Sequence, residues 1–133
     1  MIALIIVVAA LLVSIAVPAF TTVAVKTLET RSMNHAKQIG FACREYATDH
    51  AGNYPPSLNA LVPEYLPDRD ILRSPLNPSD PVGYVYTPGL RDDSPGDAVL
   101  LVDKFAPDLK HERIVIHADD SAAVQNLPRN HWW

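Results

Sequence analysis

The first 25 residues of this chain, Met1 to Val25, carry no charged side chain, and the sequence then passes without a turn signal into a polar, helix-patterned stretch beginning at Lys26. A chain that starts this way must keep an apolar rod out of water, and whatever follows has to fold beside it. The stretch MIALIIVVAALLVSIAVPAF supplies roughly 20 residues at ~1.5 Å each, the thickness of a bilayer core. It therefore reads as a membrane span. A cleavable secretory signal would have a shorter apolar region preceded by Lys or Arg, and Val17-Pro18-Ala19 offers no convincing cleavage site. Only the terminal amine precedes the run, while Lys26 and Arg31 follow it, so charge does not fix its orientation.

The remaining 108 residues suffice for one small domain and hold every charge of a chain with formal net charge -4. Scattered acidic residues without a basic patch argue against nucleic acid as a partner. One cysteine, Cys43, excludes an intrachain disulfide. Of 12 prolines, ten lie between Pro55 and Pro107, which makes that region turn-rich.

A first helix is expected from Ile2 to about His50, with a kink or short loss of helix ahead of Pro18, whose ring removes a backbone donor. Beyond Lys26, Leu28, Ser32, Ala36, Ile39, Cys43 and Tyr46 recur every three or four residues as one stripe, with Glu29, Arg31, Asn34, Lys37, Arg44 and Glu45 opposite. Leu28, Ile39, Cys43 and Tyr46 are the expected helix-to-sheet contacts. Gly52-Asn53 and Pro55-Pro56 end the helix. Ser57 is placed to cap a short helix over 58–62, limited by Pro63, and 67–81 is too broken for regular structure. Strand-type runs follow at 83–87, 98–102, 113–117 and 122–125, separated by Pro88-Gly89, Ser94-Pro95-Gly96, Pro107-Asp108 and Asp119-Asp120-Ser121. The fold class is α+β, a long helix whose apolar stripe is covered by a small antiparallel sheet.

The pattern LLVSIAVPAF, the continuation KQIGFACREYATDHAGNYPPSLNALVPEYLP and the ending IVIHADDSAAVQNLP resemble the type IV pilin-like superfamily over essentially the whole chain. Within it the chain is most similar to the major (G-type) pseudopilins of type II secretion, and 37–67 is the more specific part. Prepilins of that family carry a basic leader ending in glycine and a glutamate at the fifth mature position. Neither occurs here. Aligning Pro18 with the family's helix proline puts Met1 at the glutamate position, which implies either that the leader and first four mature residues lie upstream or that the chain is a variant.

The resemblance implies a pilin-like fold. Residues 1–25 form the membrane or filament-core half of the helix, and 26–133 form the globular domain: helix half 26–51, short helix and loop 57–81, sheet 83–127. It implies a structural, non-enzymatic subunit, held in the bacterial inner membrane and assembled with copies of itself by pilus or secretion machinery. The product is a surface pilus or a periplasmic pseudopilus, serving adhesion or protein transport. The rod core would be Ile2, Leu4, Ile5, Val8, Leu11, Leu12, Ile15, Pro18 and Phe20. Ala3, Ala9, Ala10, Ser14, Ala16 and Ala19 would allow close helix approach, although they are also ordinary membrane-helix residues. A monomeric membrane-anchored binding domain is the alternative, and a flexible linker after Val25 would favour it.

No cofactor is required by this reading. Major pseudopilins often hold calcium in a loop of the β region, and Asp92, Asp93 and Asp97 have the oxygen-rich spacing calcium prefers, with Asp119 and Asp120 a second acidic pair. Aspartate also favours turns that bind nothing. Histidines 35, 50, 111, 117 and 131 repeat no known ligand spacing. Cys43 sits on the apolar stripe as a structural thiol. Trp132 and Trp133 are bulky enough to dock on a neighbour or to pack back on the sheet.

Overall fold

A computed structural model describes residues 1–105 and 112–126, with the backbone alone for 17–22 and 126. The expected turn at Pro107-Asp108, the side chains of Pro18 and Phe20, His111, His131 and the Trp132-Trp133 pair lie outside the described residues.

Helix α1 spans Ile2–Asp49 without interruption. The short loss of helix expected ahead of Pro18 is absent, because the hydrogen-bonded turns on either side carry the helical backbone past the one missing donor. The helix stops where Ala51 and Gly52 take positive φ values of 54° and 81°, and the Gly52 amide turns back to the Ala47 carbonyl at 2.8 Å.

Four strands follow: β1 (Tyr84–Tyr86), β2 (Val99–Asp103), β3 (Glu112–His117) and β4 (Ala122–Asn126). They form one antiparallel sheet in sequence order, with Tyr84 opposite Asp103, Val102 opposite Val115 and Ile114 opposite Val124. The short helix expected over 58–62 is a 3-10 turn, Leu58–Leu61, and Ser57 makes no capping bond to it. A second 3-10 turn, Arg69–Leu72, lies within the stretch expected to be irregular, because the Asp68 side chain accepts from the Asp70 amide and starts it.

The chain is therefore α+β, and the core lies between helix and sheet. Ala36, Ile39, Cys43 and Ala47 from α1 meet Leu100, Leu101, Ile114 and Ile116 from the central strands, closed off by Leu58, Leu61, Leu66 and Leu72. Val102 and Val115 point to the opposite face and are buried too, so both faces of β2 and β3 are shielded.

One expectation is overturned. Among the described residues no helix is long and apolar enough to cross a membrane, so the inner-membrane location does not stand.

Candidate functional site: an exposed apolar rod anchored to a sheet

Over its first four turns α1 exposes its large apolar side chains. Ile2, Leu4, Ile5, Val8, Leu11, Leu12 and Ile15 are all exposed, with Val8 the least at 47% and Ile2 the most at 76%. Leu4, Ile5, Val8, Ala9 and Leu12 line a shallow apolar groove along this part of the helix. Water on such a surface costs ~25 cal/mol per Å². This arrangement can bury itself only against another apolar body.

The second half of the same helix is anchored. Ile39 and Cys43 are fully buried, Tyr46 packs at the core margin and stacks on His50 at 3.7 Å between ring centroids, and Leu28 is half-buried outside the core cluster. Burial, with the negative charge of Asp120 adding to it, pushes the Cys43 thiol up to about 12, which makes it an inert packing group.

Beside this apolar contact sits a closed polar knot. Ser32 of α1 donates to the Asp103 carboxylate at the end of β2, and Ser74 donates to the same Oδ2 at 2.7 Å. The Tyr84 hydroxyl lies 3.0 Å from Ser32 Oγ and donates to the Ser32 carbonyl at 3.1 Å, while the Phe105 amide donates to Asp103 Oδ1 at 2.9 Å. Ser32, Ser74 and Asp103 have no exposed surface and Tyr84 is 2% exposed. Burial raises the Asp103 carboxyl above its ordinary value, and the Ser32 and Ser74 hydroxyls pull it partly back. Burial likewise raises the Tyr84 phenol. Gly83 lets Ser74 approach, since a Cβ there would run into the Ser74 amide. The knot ties the helix to β1, β2 and the loop between the 3-10 turn and β1.

A second tie holds the β3–β4 hairpin. Arg44 reaches from α1 to Asp120 in the turn, and Gly40 leaves room for it, since a Cβ there would stand 3.0 Å from Asp120 Oδ1. Asp120 has φ 64°. Both its oxygens are buried without a well-oriented hydrogen bond, so Arg44 holds it as an ion pair, not as a hydrogen-bonded fork. Burial raises the Asp120 carboxyl and the Arg44 charge opposes that shift.

The five aspartates that calcium would use have different surroundings. Asp92 lies against Gly52, Asp93 is 3.4 Å from Arg91, and Asp97 is exposed. Asp119 turns back on Ser121, whose hydroxyl and whose amide, at 2.9 Å, hold its carboxyl below the ordinary value, and Asp120 faces Arg44. The structure does bring the acidic loop to the hairpin, with the Asp119 amide on the Gly96 carbonyl at 3.2 Å. Even so, among the described residues no three His, Cys, Asp or Glu side chains gather as a metal ion would require.

Ser74, Tyr84 and Asp103 carried no sequence signal as a group, since each lies at the edge of a different run. The one hint was a serine, Ser32, inside an otherwise apolar stripe. No protein-family model, curated protein or solved structure matches this chain.

Proposed function

We propose that the protein is a structural, non-catalytic subunit of a helical filament of the type IV pilus or type II secretion pseudopilus kind. Copies assemble through the apolar half of α1, and the globular domains form the outer wall. The observation that carries this reading is the continuity of α1: one helix is bare and apolar over its first four turns and is fixed to the sheet by Ser32, Ile39, Cys43 and Arg44 further on. A rod so attached presents its domain in one orientation wherever the rod is buried. A repeated contact of that kind, if it does not close into a ring, generates an open helix of subunits.

Electron microscopy of the purified full chain tests this directly. Filaments are expected from the natural sequence. None are expected from Val8→Asp, because an unpaired carboxylate inside a helix bundle has no partner for its charge. A full chain that stays monomeric throughout, or a Val8→Asp variant with normal filaments, would refute the proposal.

A further inference from the structure

The face of α1 turned away from the sheet is polar from Lys26 onward with one exception. Phe41 is 56% exposed, the one large apolar side chain so exposed among the described residues of this helix half. Lys37 and Glu45 stand one turn before and one turn after it, both exposed. They carry opposite charges, and neither takes part in an ion pair among the described residues.

Phe41 is also aligned with the rod. At about 100° per residue it lies on the same meridian as Val23, five turns earlier, and within ~20° of Ile5 and Leu12. These three are 63%, 65% and 65% exposed. Ala36, Ile39, Cys43 and Ala47, which meet the sheet, lie on the opposite side. Phe41 thus stands on the meridian of the rod, separated from Val23 by the polar residues Thr30 and Asn34.

We propose that this face seats a second copy of the chain, parallel to the first and displaced by eight residues, so that Lys37 of one copy pairs with Glu45 of the next. The inference rests on the filament reading and deepens it by naming the contact and its axial step, about 12 Å at ~1.5 Å per residue. Phe41 is covered by the aliphatic stems beside that pair. The contact is heterologous: each copy offers Lys37 to one neighbour and Glu45 to the other, so it repeats without closing. An antiparallel pair centred on Phe41 would match the same charges, but it would send the two apolar rods in opposite directions and leave both bare.

The test is charge reversal in the full chain, with circular dichroism as a check on folding and filament mass scored by electron microscopy. Lys37→Glu or Glu45→Lys should each lower filament mass about fivefold, as expected when an exposed ion pair becomes a repulsion, and the double reversal should restore it. Co-expressed Lys37→Cys and Glu45→Cys chains should form disulfides with each other within filaments. If the natural chain forms filaments and both single reversals do so equally well, this contact is wrong while the filament reading stands. Disulfide dimers of Phe41→Cys alone would show the antiparallel pair and overturn the proposal. No filaments from the natural chain would remove the filament reading and this contact together.

Discussion

Arg44 Nη2 stands 2.9 Å from Asp120 Oδ2 and also donates to the Ala118 carbonyl at 3.1 Å, so one guanidinium holds both ends of the β3–β4 turn against the helix. The Asp120 side chain is 9% exposed and the Arg44 side chain 49%. The carboxylate is sealed in, while its cation remains wet on one side.

Arg44→Met should therefore destabilise the fold mainly by stranding Asp120. The expected loss is about 2 kcal/mol in urea unfolding, below the value for a fully buried pair because water reaches Arg44. Arg44→Met combined with Asp120→Asn should cost clearly less than the sum of the single changes. Strict additivity would mean the two residues do not communicate.

Asp103 predicts an unusual pH dependence. Its carboxyl is raised from an ordinary 3.8, so the folded state binds the proton more tightly than the unfolded state. Its contribution to stability is then full below that ordinary value and is lost as pH rises through the raised one. Asp103→Asn stays neutral and removes this slope. Melting temperatures from about pH 3 to about pH 8 should show the natural chain losing ground to Asp103→Asn as pH climbs. Growing superiority of the natural chain with pH would mean that the hydroxyls of Ser32 and Ser74 outweigh burial.

Gly83→Ala should cost about 2 kcal/mol, since the added methyl meets the Ser74 backbone, which has no rotamer to retreat into. Chemical denaturation measures it, and a neutral result would mean that the 74–83 loop is free to shift.

Cys43 provides a probe of the helix–sheet contact because it is the sole cysteine. With its thiol at about 12, labelling by a disulfide reagent near pH 8 should be about a thousandfold or more slower in the folded chain than after denaturation. Comparable rates in the two states would place Cys43 outside the core.

The sequence was informative where a physical signal is local. Spacing along α1 set Ile39 and Cys43 on the inner stripe, and β-branched runs bounded by Pro, Gly and Asp marked the strands, because both patterns depend on neighbours a few residues apart. The polar knot was not legible: Ser32 meets Ser74, Tyr84 and Asp103 at separations of 42, 52 and 71 residues. Periodicity tells which side of a helix faces inward and nothing about what waits there. Arg44 holds an outward helical position, and only its length lets it reach the hairpin. Ser57 failed as a cap because Pro63 leaves room only for a tighter 3-10 turn.

The unbroken course of α1 has a mechanical consequence. A 48-residue helix is about 72 Å long, and Ser32 sits well beyond its midpoint, already locked to Asp103. Tension applied at the Ile2 end passes along the helix to the sheet with no slack to take up first, so the domain is hauled with its rod instead of trailing behind it.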